Sequence, residues 1–278
     1  MSIKTITTIL ADTAHLEAQL DAAVHCARAC DAHLQVIALG LGFDSPGVVG
    51  SALEAMPLAV GLEEAEHLAL ERGAAARRRL EREDIRWDVE QRYCLSGGLA
   101  GMVAGSVRFS DLVVQLRGPE QIDNYARRII EAVLLETPSP LLILPMQAAL
   151  PRFDGRVMLA WDHRQTALRA TRLTLPLLAR ADIVQIALVD PSREAPDRSD
   201  PGGDLARFLS RHGVRAEISV LTRSGGSIAQ TLSTRARETG CEMIVMGAYG
   251  HARLRQALFG GTTRAMLEEA ELPVLLAH

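Results

Sequence analysis

Two separated pairs of glycines, Gly247 with Gly250 and Gly260 with Gly261, frame the stretch MGAYGHARLRQALFGGTTRAML from Met246 to Leu267. Glycine lets backbone N–H groups approach a ligand with no Cβ in the way. The helix expected from TTRAMLEEA opens on N–H groups that have no partners of their own, and its dipole favours an anion there. Thr262 and Thr263 add hydroxyl donors at the same end. The chemistry on offer is a phosphate cradle; ordinary turns and a helix cap are the competing reading of the same glycines.

Other candidate chemistry is sparse. His25, His33, His67, His163, His212 and His251 occur singly, without metal-ligand spacing, and no Ser, His and Asp grouping stands out. His251 and Tyr249 sit inside the glycine-framed loop, as do Arg253 and Arg255, whose alternative is a solvent-facing basic turn. Ser96-Gly97-Gly98 and Ser224-Gly225-Gly226-Ser227 echo the SGG of pyrophosphatase-loop ATPases, but both follow a third strand rather than a first, so helix N-caps are the simpler reading. Cys26, Cys30, Cys94 and Cys241 are too scattered for a disulfide framework or a zinc site. Helical spacing puts Cys30 on the apolar face of its helix and Cys26 on the flank.

The elements that must position the cradle come as an internal repeat. IKTITTIL (Ile3 to Leu10), a helix to about Cys30 and a strand at Leu34 to Leu39 rhyme with RVMLAW (Arg156 to Trp161), a helix to about Arg180 and a strand at Ile183 to Val189. Each half continues with a strand (Ile85 to Tyr93; Val214 to Leu221), a glycine-opened helix, a strand DLVVQL or EMIVMG, a helix, and a proline-led strand PLLILP or PVLLAH. Continuously apolar strands alternating with amphipathic helices predict an α/β protein. The expectation is two tandem open parallel five-stranded sheets with helices on both faces, over residues 1–148 and 154–278, joined by ALPRFDG (Ala149 to Gly155). The two last strands are the natural contact of an intramolecular pseudo-dimer. The first half carries an insertion, LEEAEHLALERGAAARRRLERED, whose dense charge reads as a solvated helix face.

The second half resembles a universal stress protein domain of the ATP-binding kind. The family motif G-x2-G-x9-G-[ST] is matched in register by Gly247, Gly250 and Gly260. The repeat makes the whole chain resemble a tandem universal stress protein of Rossmann-like fold. The resemblance implies that Asp162, at the end of the first strand, lies near the adenine or ribose, and that the backbone of Val189 meets the adenine. Gly261 stands where the family has serine or threonine, with Thr262 next to it, and His163-Arg164 replaces a common Gly-Ser. In the first half Arg127 and Arg128 take the places of Gly260 and Gly261, Pro119 that of Gly250, and Ala11 that of Asp162, with Asp12 one residue away. No nucleotide is expected there.

The formal charge of −4 with interspersed signs argues against nucleic acid and acidic membranes as partners, and the absence of a leader or a long apolar run reads as cytoplasmic. The leading expectation is a stress-response module that binds ATP, with Mg2+ held through a threonine hydroxyl, in its second domain and acts on an unknown protein partner. A ligand-free interaction protein and a slow ATPase are the alternatives. A homodimer is compatible with the family, without a residue-level signal for its interface.

Overall fold

The computed structural model describes residues 2–42, 55–118, 124–191, 199–223, 225–248 and 261–278. Its contacts fall into two compact units, one spanning Lys4–Gly118 together with the helix before Ser139, the other Pro140–His278.

In the first unit, β1 (Thr5–Leu10), α1 (Leu16–Cys30), β2 (His33–Gly42), α2 (Ala55–Leu80), β3 (Trp87–Leu95), α3 (Leu99–Val107), β4 (Leu112–Arg117) and α4 (Asn124–Glu136) follow one another. The strands run parallel in the order β3-β2-β1-β4. Helices α1 and α2 touch each other, as do α3 and α4, so the sheet is covered by two helix pairs. The parallel arrangement requires these crossovers. Two buried polar side chains bond to the end of β4. Thr8 donates to the Val114 carbonyl at 2.8 Å, and the Gln19 amide on α1 donates to the same carbonyl at 3.1 Å and accepts from the Leu116 N–H at 2.6 Å.

The second unit contains β5 (Leu141–Pro145), β6 (Arg156–Ala160), α5 (Gln165–Leu178), β7 (Ile183–Val189), α6 (Gly203–Arg211), β8 (Ala216–Leu221), α7 (Ile228–Glu238), β9 (Met243–Gly247), α8 (Gly261–Glu269) and β10 (Val274–Ala277). Strands β10, β9, β6, β7 and β8 are neighbours in that order and parallel. The α/β class and parallel sheet read from the apolar runs are what the molecule has. Strand β5 groups with the second unit and pairs antiparallel with β10, Val274 opposite Ile143 and Leu276 opposite Leu141, which joins the two proline-led segments as expected. The segment before β6 is tied down rather than loose: Phe153 is buried and Arg152 holds Glu242 through its backbone N–H at 2.6 Å and its guanidinium.

Three local expectations need correction. Cys26 is the fully buried thiol, among Ala22, Ala23 and Ala27, whereas Cys30, the last residue of α1, is half-buried. Burial, with Cys30 as a lesser cause, pushes the Cys26 thiol far up from its ordinary value. Ser96 opens a 3-10 turn without a side-chain cap, while Ser227 does cap α7 in a reciprocal box with Gln230. The inserted helix α2 is not merely a solvated surface. Its Ala65, Ala69, Arg72, Ala76 and Leu80 are buried, and the helix lies on β2 and β3.

Candidate functional site

The ends of β6, β7 and β9 and the starts of α5 and α8 enclose a cavity of about 850 Å³ in the second unit. This is the carboxyl edge of a parallel sheet, where the chain leaves successive strands and ligands of open α/β folds lodge. Its size suits a small-molecule ligand. The cavity is lined by Asp162 after β6, Val189 at the end of β7, Gly247 at the end of β9, and Gly261, Thr262 and Thr263 in the first turn of α8. Six of the eight residues singled out in the sequence thus border one cavity. Gly250 and Gly260 lie outside the described residues, as do Tyr249, His251, Arg253 and Arg255.

The two described glycines have different physical reasons to be glycine. A Cβ on Gly247 would sit 2.6 Å from the Ala167 nitrogen and 2.6 Å from the Thr166 carbonyl carbon, so the bare residue lets β9 meet the first turn of α5. At Gly261 a Cβ would meet no atom of the described residues within 4 Å. The first is a packing requirement; at the second no described residue fills the place a hydroxyl would take.

Asp162 closes a turn by accepting the Arg164 N–H at 3.1 Å, and the Arg164 guanidinium lies 3.6 Å from the same carboxylate. Between them His163 holds φ at 63°, a left-handed conformation that glycine adopts without strain, and its ring meets Trp161 edge-on at 5.5 Å. Among the described residues two further carboxylates border the cavity, and both are engaged. Asp190 accepts from Arg223 through side chain and backbone N–H, which holds its carboxyl below the ordinary value, and Asp204 pairs with Arg207. Sequence reasoning did not single out Asp190, Arg223 or Trp161. The only available signal was that the run VDP continues Val189 into the loop beyond β7. The apolar floor comes from Ala160, Ala187, Leu205, Ile228, Leu232 and Met246.

The corresponding edge of the first unit is built otherwise. Ile6 faces Leu34 and Leu112 as Val157 faces Val184 and Met243, which equates Ala11 with Asp162, Leu39 with Val189 and Leu116 with Gly247. Asp12 repeats the carboxylate turn one residue later, accepting the Ala14 N–H at 3.0 Å. The Leu39 carbonyl accepts a hydrogen bond from Arg72 of α2, a side chain only 8% exposed, whose guanidinium burial pulls below its ordinary pKa. Helix α2 reaches this place because Gly40 and Gly42 admit its backbone: a Cβ on Gly40 would lie 1.7 Å from the Ala65 carbonyl oxygen. Arg128, one of the two arginines at the glycine positions, donates to the Ser96 carbonyl.

Among the described residues no group of three or more His, Cys, Asp or Glu is placed to hold a metal ion, and no helix is long and apolar enough to cross a membrane.

Comparison with known proteins agrees with this geometry. Residues 155–278 match the model of the universal stress protein family. A curated relative, universal stress protein Slr1230 of Synechocystis sp., is 23% identical over 147 residues, 52% of this chain; the match spans about half of that relative's length, 49%. A universal stress protein from Archaeoglobus fulgidus DSM 4304 superposes with a TM-score of 0.70 at 14% identity, covering 98% of this chain and 97% of its own. A functionally unknown protein from Pseudomonas aeruginosa PAO1 gives 0.53 at 17% identity, covering 99% and 92%. At these identities the two structures establish a shared fold.

Proposed function

We propose, from the match of residues 155–278 to the universal stress protein family, that the chain is a stress-response module whose second unit holds one adenine nucleotide, ATP, in the cavity described above. One observation carries the reading: the carboxylate of Asp162, the end of β7 at Val189 and the first turn of α8 face a single cavity on the carboxyl edge of the sheet. The adenine lies on Val189 and the apolar floor. The phosphates lie at the start of α8, where the helix dipole favours them. Mg2+ fits there, held by phosphate oxygens and a hydroxyl of Thr262 or Thr263, and would supply charge neutralisation. The first unit holds no nucleotide in this manner, because Arg72 already donates to the carbonyl of Leu39, the counterpart of Val189. Residues 1–148 and 154–278 then act as a structural domain and a binding domain in a cytoplasmic protein.

The site binds without efficient chemistry. Among the described residues three carboxylates border the cavity: Asp190 and Asp204 are each held by a guanidinium, and Asp162 stands at the nucleoside end, away from the phosphates, so none of the three is poised as a base for an attacking water. Phosphoryl transfer needs such a positioned group.

The test is calorimetric titration of the purified chain, first stripped of nucleotide by mild denaturation and refolding, with ATP. The expected stoichiometry is one site per chain; two equivalent sites, or none, would overturn the reading. Sustained phosphate release on the order of 1 per second or faster would overturn its non-catalytic half. A companion expectation concerns Gly261→Ser, which restores the family's hydroxyl where no described residue lies within 4 Å of the new Cβ. One added hydrogen bond is worth about 0.5–1.5 kcal/mol, so ATP should bind roughly 2- to 10-fold more tightly, and weaker binding would place the phosphates elsewhere.

A further inference from the structure

The cavity is not confined to one face of its sheet. Side chains alternate between faces along a strand, so Gln185, Ala187 and Val189 of β7 share one face while Ile186 and Leu188 share the other. Helix α7 lies on the first face: the Thr239 hydroxyl at its end donates to Gln185 at 2.9 Å, and its Ile228 and Leu232 border the cavity. Helix α8 packs against α7 on that side. The entry to α6 lies on the second face, because a Cβ on Gly202 would meet Leu188 at 3.2 Å, Ile186 at 3.5 Å and Ile218 at 3.8 Å. Gly202, Leu188 and Leu205 of α6 border the same cavity. The space therefore passes over the carboxyl ends of β6 and β7 and has a second arm on the α6 side.

Trp161 belongs to this arm. Its N–H donates to the Ala187 carbonyl at 2.9 Å, which continues the parallel ladder one residue past β6 and puts Trp161 on the face of Leu188, opposite to Ala160. Its counterpart in the first unit, Leu10, is fully buried, whereas Trp161 is half-buried and borders the cavity. Trp161, Leu188 and Leu205 offer apolar surface with one large ring. The carboxylates beside them do not make the arm a site for a cation: Asp190 is held by Arg223 and Asp204 by Arg207.

A nucleotide with its base at Val189 and its phosphates at α8 lies on the α7 side and leaves the arm unfilled. The order of strands says which part of that nucleotide stands beside it. Strand β6 lies between β9 and β7, so the chain leaving β6 at Trp161 stands between the start of α8 and Val189, next to the sugar that links phosphates to base. A group that reaches the arm is therefore carried by the ribose.

We propose that the arm formed by Trp161, Leu188 and Leu205 is a subsite for an apolar acyl group on the 2′- or 3′-hydroxyl of the bound nucleotide, so that the cavity takes ribose-acylated adenine nucleotides in preference to unmodified ones. The inference rests on the nucleotide reading of the cavity and goes beyond it by naming the ligand class. A flat aromatic acyl group suits the arm best, since it meets the Trp161 ring in addition to the leucines.

Calorimetric titration of the full chain with ATP and with its ribose ester of N-methylanthranilic acid tests the proposal, repeated on Trp161→Ala and Trp161→Phe with folding checked by circular dichroism. The expected result is that the ester binds wild type roughly tenfold or more tightly than ATP, from the apolar area and ring contact it adds. In Trp161→Ala that ratio should fall to about twofold, and Trp161→Phe, which keeps a ring, should restore most of it. The ratio is taken within each protein, so a general loss of affinity does not imitate the effect; if Trp161→Ala does not fold, Trp161→Leu, the residue of the first unit at this register, takes its place. An ester that binds no more tightly than ATP, or a preference that persists undiminished without the indole, shows that the arm has no such role while the nucleotide reading stands. Failure of both ATP and the ester to bind overturns both.

Discussion

Gly40→Ala should unseat helix α2 and lower the stability of the first unit by about 3 kcal/mol or more, the upper end of what overpacking usually costs. The new methyl carbon would stand 1.7 Å from the Ala65 carbonyl oxygen, 2.7 Å from its carbon and 2.9 Å from the Ala69 nitrogen. All three are backbone atoms, so no side chain can turn aside to make room. The helix must lift from β2, and the buried contacts of Ala65, Ala69 and Ala76, together with the Arg72 hydrogen bond to Leu39, weaken with it. For a unit of this size the loss corresponds to a fall of roughly 10 °C in melting temperature. A variant that melts within 2 °C of wild type would show that α2 does not rest on this strand as described.

Gly247→Ala should have the next largest effect, and on two readouts at once. Its Cβ would press on the Ala167 nitrogen at 2.6 Å, the Thr166 carbonyl carbon at 2.6 Å and the Thr166 hydroxyl at 2.9 Å. Moving the first turn of α5 costs about 1–3 kcal/mol and displaces Thr166 and the adjoining Arg164, both of which border the cavity. Thermal unfolding should therefore fall by several degrees while ATP affinity falls at least tenfold. Gly261→Ala, with no described residue within 4 Å of its new atom, is the matched control and should melt as wild type does. Equal melting temperatures for Gly247→Ala and Gly261→Ala would contradict the packing assigned to Gly247. Gly247 is accordingly a poor choice for separating binding from folding.

The strands and helices were legible because their cause is local: apolar runs such as IVQIALV and stripes such as Leu16, Leu20, Ala23 and Ala27 announce buried strands and a one-faced helix. The repeat was equally legible, and Asp162, Val189, Gly247 and Gly261–Thr263 do border one cavity, while Gly250 and Gly260 lie outside the described residues. The role of α2 was not. Its buried face is made mainly of alanines, with one arginine and a single leucine, Leu80, at its end, which no hydropathy pattern marks as a core, while its glutamates and arginines dominate the composition. The usable signal lay in the partner strand, where Gly40 and Gly42 alternate in LGLG; paired glycines inside a strand indicate close approach by another backbone. The partnership of Asp190 with Arg223 joins residues 33 positions apart on neighbouring loops, a proximity set by the pairing of β7 with β8 and written in neither segment alone.

Arg72 gives the two units different relations to the composition of the surrounding solution. Its guanidinium reaches the Leu39 carbonyl from the same chain, so that contact has an effective concentration fixed by the chain itself and is present whatever else is dissolved. On the proposed nucleotide reading the counterpart at Val189 comes from outside, and any ligand that binds only the folded second unit adds stability in proportion to the logarithm of its concentration, about 2.7 kcal/mol at one hundred times its dissociation constant. On that reading one unit is buffered against changes in the small-molecule pool and the other reports them.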